Sequence, residues 1–520
     1  MHPITHTLIT SQRSLLLLGV VAALLLIRAI ARRRRNPRGL PLPPGPKGLP
    51  LIGNLFHLPQ YDNSPWEGYD ALCRQYGDMV YLDVLGQGML ILGTSQRVSD
   101  LLDKRAAIYS DRPRIAVNDL MNMNWMMGGM AYGSIWRNNR RTFHQHLNHN
   151  VTANYHPIMN EERNELLRQM TSRPEDFLQH ARTYFGRSAM RSAYGFDDTE
   201  QAEWHISNAD QIIEAIGHAN TPGRFMVNTL PILRYIPSWV PGAGFQKYFQ
   251  EQAVKNQRTV EGPFEEARMN MVRDKRSPHH SLAAALIEKL PDLNDPTYPE
   301  LKGIAMNVCA NVYVAGADSS VASAEALILA LASNPQVQKK AQDELDRVVG
   351  ANRLPLVSDR PALPYVHAIV KEVSRWHTVL PMGLPHTTSQ DDEYDGYYIP
   401  KGTYVLPSVW AMMHSANTFE RPFDFIPERY LKDGKVDDVE IALFGFGRRI
   451  CPGRHLSNDA LFLFAASLLA VFDIGPSRDD AGRPIPLKYE MMSGLVAKPA
   501  PFRCNFTPRK GKVDVVKQEL

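Results

Sequence analysis

Cysteine is scarce in this 520-residue chain: there are four, Cys73, Cys309, Cys451 and Cys504, far apart, and no C-x-x-C or C-x-x-C-H occurs. That spacing excludes a structural zinc site and a c-type haem attachment, and it points to a reducing compartment rather than a disulfide scaffold. An excess of one charge is lacking too. Lys and Arg outnumber Asp and Glu by 58 to 54, a net +4, which gives no case for nucleic acid. After the N-terminal segment no Ser/Gly tract, block of like charge or low-complexity run marks a linker. Length allows about three domains. One large, mainly helical domain is the better expectation, with ample chain to bury a cofactor.

Long apolar runs are few, and one stands at the N-terminus. Leu15 to Ile27 is continuously apolar, and if Arg28 snorkels the span reaches Ala31, 17 residues. At ~1.5 Å per residue that is roughly 26 Å of helix, which fits the thin endoplasmic reticulum bilayer. Arg32 to Arg35 follow at once, and a positive cluster after a span holds that side in the cytosol. Cleavage at Ala29-Ile30-Ala31 is the rival reading, opposed by the arginines. Residues 1–35 are expected to be a transmembrane anchor with a basic stop, and 36–55 a stiff, proline-rich hinge, from L-P-L-P-P-G-P-K-G-L-P-L-I-G-N-L at Leu40 to Leu55. Residues 56–520 are expected to form the one large domain. Within it Val80 to Leu92 reads as a hairpin, Trp136 to Leu331 as mainly helical, and Tyr394 to Leu406 as strand-rich.

The most informative run is Phe444-Gly445-Phe446-Gly447-Arg448-Arg449-Ile450-Cys451-Pro452-Gly453. It sets one cysteine at the end of a glycine-hinged loop, just before an apolar stretch with helical spacing, Leu461 to Phe472. Unpaired N–H groups and the dipole at a helix start favour a thiolate there. Gly447 and Gly453 let the backbone wrap the sulfur, Pro452 suits a helix start, and arginines at 448, 449 and 454 add positive potential.

This run resembles the haem-binding loop of the cytochrome P-450 family, F-x-x-G-x-R-x-C-x-G, at all five fixed positions: Phe444, Gly447, Arg449, Cys451 and Gly453. The resemblance covers about residues 40 to 510. It implies the cytochrome P-450 fold, a large helical domain plus small β-sheets. It also implies Cys451 as the axial thiolate of the iron of haem b, iron protoporphyrin IX.

Other motifs follow from the same resemblance. Ala315-Gly316-Ala317-Asp318-Ser319-Ser320 interrupts a long helical pattern, Leu301 to Leu331. It resembles the family's oxygen-activation motif, in which Ala315 and Gly316 leave a groove for dioxygen while Asp318 and Ser319 hand over protons. Ser319 stands where threonine is usual, keeping the hydroxyl but losing the methyl that fixes its rotamer. Glu372 and Arg375, at i and i+3 on a helix, with Arg429 of P-E-R-Y, resemble the buried ion-pair cluster that supports the cysteine loop. Trp136 and Arg140 match W-x-x-x-R and share a helix face towards a haem propionate. Arg449 and His386 are further propionate partners.

Met121, Met123, Met126, Met127 and Met130 crowd one stretch with Trp125. In the family this region roofs the substrate pocket, and Val379 to Leu384 and Met491 to Leu495 are further candidate walls. Phe225 to Phe249, with Tyr235, Trp239 and several prolines, suits a membrane interface.

The resemblance implies a monooxygenase inserting one atom of dioxygen into an apolar small molecule. Electrons would come from NADPH through a separate NADPH-cytochrome P-450 reductase, with cytochrome b5 as an optional donor, because no flavin or nucleotide domain is visible. The wording of the motifs is most like fungal members that tailor terpenoids, polyketides and alkaloids. Asp119 is the single acid from Val117 to Met130, so a neutral terpenoid is favoured over an amine. The alternative is a reductase-independent haem-thiolate isomerase or dehydratase, left open by Ser319. A non-enzymatic electron carrier is disfavoured, since no second axial-ligand motif is seen.

Overall fold

The computed structural model describes residues 36–59, 64–220, 224–274, 281–433, 435–436, 442–494 and 496–512. The expected anchor, residues 1–35, lies outside them. The described chain is mainly helical with five small sheets.

The helices that place the site are α1 (Ser134–Leu147), α2 (Phe177–Tyr194), α3 (Thr199–Asn220), α4 (Phe245–Asp274), α5 (Tyr298–Ser333), α6 (Pro364–Trp376) and α7 (Arg454–Val471). Helix α5 is apolar around its circumference, so it can only be central. It begins with Pro in its first turn and Glu300 beside its positive end. It stops at Asn334, where Pro335 opens the next helix. Helix α2 packs along it. Its Ala181, Gly186, Ala189 and Ala193 are buried and small, which lets two backbones approach closely. Beyond Asp459, α7 is buried to its end and also packs on α5. Among the described residues α5 is the single helix long and apolar enough to cross a membrane. Its burial makes it the core of the fold instead.

The expected hairpin is present as β1 (Met79–Val84) and β2 (Gln87–Leu92). Leu85 and Gly86 turn it with φ of +51° and +88°, the left-handed pair that matches strand twist. β2 pairs in parallel with β4 (Tyr404–Pro407), and β3 (His386–Thr387) closes the edge antiparallel to β4. The hinge lies along this sheet rather than swinging free: Tyr81 N–H donates to Pro44 O at 2.8 Å and Tyr398 N–H to Pro41 O at 2.9 Å. A C-terminal hairpin pairs Met491–Met492 with Lys498–Pro499.

One expectation changes. The motif from Ala315 to Ser320 does not interrupt α5, which is continuous from Tyr298 to Ser333. Ser319 Oγ donates to Ala315 O at 2.8 Å and Ser323 Oγ to Ser319 O at 3.2 Å. The hydroxyls bond back within the helix instead of breaking it.

Candidate active site

Helix α5 is buried on both sides of the motif, with Val314 2% and Ser320 5% exposed, yet Ala315 between them is exposed and Gly316 to Ser319 are partly so. A Cβ built on Gly316 meets nothing within 4 Å. The centre of the core helix therefore faces open space. The start of α7 shows the same opening: residues 451–458 are half-buried, whereas the helix beyond them is buried. Ser320 Oγ and Ser457 Oγ, 3.3 Å apart, join the two helices at the rim.

Cys451 is held at that rim. Its N–H donates to Phe444 O at 2.6 Å, and the N–H groups of Gly453 and Arg454 point at its sulfur. Burial still lifts the thiol above its ordinary value. The two amides and the Arg140 and Arg454 guanidiniums oppose this without cancelling it. The helix start alone therefore does not make the thiolate. Gly447 is required: at φ +51°, an added Cβ would lie 2.2 Å from Leu102 O. The second left-handed hinge is Gly445 at φ +81°, not Gly453 at φ −85°. Pro452 precedes the helix, whose first residue is Arg454.

Three guanidiniums converge near this loop. Arg449, from the loop, donates from Nε to Ser110 O at 2.7 Å and from Nη2 to Met130 O at 2.8 Å, and lies 4.3 Å from the centre of the Trp136 ring. Arg140, one turn beyond Trp136 on α1, donates to Ile450 O at 2.5 Å. Arg112 donates from Nη1 to Leu384 O and Pro385 O, both at 2.7 Å, while its buried Nε has no partner. Burial, with Arg449 nearby, pulls Arg112 down to about 9, and burial pulls Arg449 down to about 10. Beside them His386 donates from Nδ1 to Tyr109 O at 2.7 Å. Burial and these two arginines keep its imidazole neutral.

Among the described residues none of the three arginines has a carboxylate partner. Asp111 turns its Oδ1 to the backbone amides of Arg112 and Tyr132. Buried cations without counter-charge are costly. Such a cradle, beside a thiol and an open space, fits a dianionic, iron-bearing macrocycle, and haem with its two propionates is of that kind. Arg112 was not foreseen. A lone loop arginine carries no spacing signal, and its burial is what reveals it.

The candidate wall segments are joined to one another and to the motif of α5. Gly128 of the roof faces Leu384 Cδ1, which would lie 3.2 Å from an added Cβ. Ala497 N–H donates to Val379 O at 2.9 Å, tying the C-terminal hairpin to the second wall. Lys498 pairs with Asp318 at 2.5 Å, tying the same hairpin to the motif. Asp318 is thus held by a lysine, a partner with no place in the motif itself. Glu325, two turns further along α5, has its carboxyl pushed up by burial, with Lys498 and Arg182 opposing.

The ion-pair cluster assembles as expected. Arg375 binds Glu372 two-pronged at 2.8 and 2.9 Å, both side chains being 0% exposed, and Arg429 Nε adds 3.1 Å. Both guanidiniums lie over Phe419, at 5.2 and 5.9 Å. Phe419 packs in one apolar cluster with Leu443 and Phe446 of the cysteine loop.

A thiol in a cationic cradle beneath an opened core helix defines a haem-thiolate enzyme. The comparisons agree. The family model for cytochrome P450 matches residues 43–506. The chain is 49% identical over 517 residues to cytochrome P450 monooxygenase COX1 of Coprinopsis cinerea, covering 98% of this chain and 99% of that one. It is 40% identical over 496 residues to COX2 of the same fungus, at 94% and 93% coverage. Cytochrome P450 monooxygenase claR of Ampulloclitocybe clavipes is 36% identical over 503 residues, at 96% and 91%. The chain belongs to the cytochrome P450 family and is a monooxygenase.

Ser319 carries a direct expectation. Its hydroxyl donates to its own helix carbonyl, so it must turn about one bond to release that proton. Ser319→Ala should leave cofactor and substrate binding intact. Product per NADPH should fall about tenfold or more, with peroxide released in its place. Ser319→Thr should restore coupling. Unchanged coupling in Ser319→Ala would move the relay to Ser320 or to water.

Proposed function

We propose that this monooxygenase oxidises a neutral, rigid, apolar small molecule, a terpenoid or a similar fungal secondary metabolite. The observation that carries this is the fate of the one acid in the roof. Asp119, which could have received an amine, pairs instead with Arg234 at 3.2 Å and is 41% exposed. What remains around the opening is chiefly Met, Leu, Val and Gly. A cation buried there would find Asp318 already paired with Lys498.

In this reading Cys451 ligates the iron of haem b. Arg112, Arg140, Arg449, Trp136 and His386 hold the propionates. The haem, when bound, supplies the reductive splitting of dioxygen, with one atom going to the substrate and the other leaving as water. The chain does the rest. Ala315 and Gly316 leave room, Ser319 carries a proton at Oγ, and the roof excludes water. Lys498 holds Asp318 in an ion pair beside them.

Electrons are proposed to come from NADPH through NADPH-cytochrome P-450 reductase, with cytochrome b5 as an optional donor. A concavity of about 200 Å³ behind the cysteine loop supports this, lined by Arg360, His367, Lys371 and Arg454 beside Phe444 and Ile450. Such a basic hollow suits an acidic partner. Residues 1–35 are proposed to anchor the chain in the endoplasmic reticulum membrane by a single pass, with the catalytic domain in the cytosol. Ile232, Tyr235 and Trp239, at 71%, 75% and 81% exposure, would rest on the surface of that membrane.

Substrate-induced absorption shifts test the reading. Neutral sesquiterpenoid alcohols or hydrocarbons should bind at least about tenfold more tightly than protonated amines of equal size. In the same membranes, turnover should require NADPH and reductase. Tighter amine binding, lost in Asp119→Asn, would overturn the substrate class. Product formed without reductase would replace oxidation with isomerisation.

A further inference from the structure

The roof from Val117 to Met130 is mostly turns, so its peptide groups need partners that no sheet or long helix supplies. Some pair internally, as Met126 N–H does with Met123 O at 3.0 Å. Others do not. Trp125 C=O and Met127 N–H both turn to Asn311 of α5, one helical turn before Ala315. Asn311 Oδ1 accepts from Met127 N at 2.9 Å, and Nδ2 donates to Trp125 O at 3.0 Å and to Asn307 O at 2.8 Å. The orientation of the amide is fixed by chemistry. Flipped, it would set an NH₂ against an N–H and an oxygen against two carbonyls. Every donor is used, in a buried site.

Further tethers hold the rest of the roof, beginning with Val117 N–H, which donates to Asn228 Oδ1 at 3.2 Å. Asn256 of α4, fully buried, donates to Met121 O at 2.7 Å. Arg449 donates to Met130 O at 2.8 Å. The middle tether alone sits on the helix that carries the opening. One side chain therefore ties the middle of the roof to α5, one turn before Ala315.

We propose that Asn311 is a positioning residue that sets which substrate shapes this monooxygenase admits, by fixing the roof to α5 above the opening at Ala315 and Gly316. The proposal rests on the reading of 117–130 as the roof of the substrate pocket. Removing the amide strands a buried N–H and a buried C=O, and the roof must move to rescue them. A longer amide keeps both bonds and lifts the roof by one methylene.

The test uses the full-length holoenzyme and azoles that give a spectral shift on reaching the iron: imidazole, 4-phenylimidazole and a bulky triaryl imidazole. Imidazole is small enough to reach the iron beneath the roof, and its affinity should stay within about twofold in Asn311→Ala. The ratio of the affinities for the two larger azoles should change about tenfold. Amide hydrogen exchange across residues 121–130 should speed up. Asn311→Gln should shift that ratio towards the triaryl compound while exchange stays slow, and it serves equally if Asn311→Ala fails to fold. An unchanged azole ratio in Asn311→Gln, with or without a fall in melting temperature, would reduce Asn311 to a structural bond and overturn the proposal. Loss of the imidazole shift in the unaltered enzyme would overturn the pocket reading itself.

Discussion

Cys451→Ala is expected to abolish the thiolate-type absorption of the reduced, carbon-monoxide-bound protein and with it all turnover. The reason is local and unshared. Cys451 is pinned through its own N–H to Phe444 O at 2.6 Å and offered the amides of Gly453 and Arg454. Arg140 and Arg454 are the nearest charges. No other cysteine has such surroundings. Cys73 and Cys504 are buried among apolar neighbours with thiols pushed up to about 12, and burial raises Cys309 further. Substituting any of these three should leave the spectrum as it was. A normal spectrum in Cys451→Ala would remove the basis for the iron ligand.

Glu372→Ala should be nearly as damaging, through folding rather than chemistry. Arg375 directs all five of its N–H donors inward: two to Glu372, and the rest to Met413 O, Pro422 O and Asp424 O. Take away the carboxylate and a fully buried guanidinium, with Arg429 beside it, has no counter-charge. Breaking such a pair typically costs about 3–5 kcal/mol. The cost reaches the cofactor loop through Phe419, which both arginines cover and which packs with Leu443 and Phe446. Thermal unfolding and the fraction of protein that retains haem would be measured together. Glu372→Ala should melt far below the unaltered enzyme and hold little haem. Melting at the original temperature with full haem content would show the cluster to be ornamental. Replacing Glu372 and Arg375 together by apolar residues should be less harmful than either alone.

What could be read from the sequence was what lies within a few residues of itself. The cysteine loop carries its ligand, hinges and helix start in one run, so its chemistry was visible at once. Glu372 and Arg375 are three apart on one helix, and their pairing followed from the helical repeat. The walls were different. Gly128 meets Leu384, Val379 meets Ala497 and Asp318 meets Lys498 across long stretches of chain. The candidate segments could be named, but not how they close. Arg112 was missed because a single arginine in a loop looks like any other until its burial is known. The interruption expected in α5 is absent for a physical reason: the serine hydroxyls bond to the carbonyl one turn back and leave the backbone ladder whole. Gly453 was credited with flexibility that its φ of −85° does not use, and Gly445 at +81° was the hinge instead.

Arg449 has a consequence for how the enzyme matures. Its guanidinium serves the cofactor cradle and, through Met130 O, closes one end of the roof. The ring of Trp136 beneath it belongs to a third element. Cofactor loading is therefore expected to be coupled to the set of the roof through this one side chain. Supplying the porphyrin precursor during synthesis should matter more to yield than adding the cofactor afterwards.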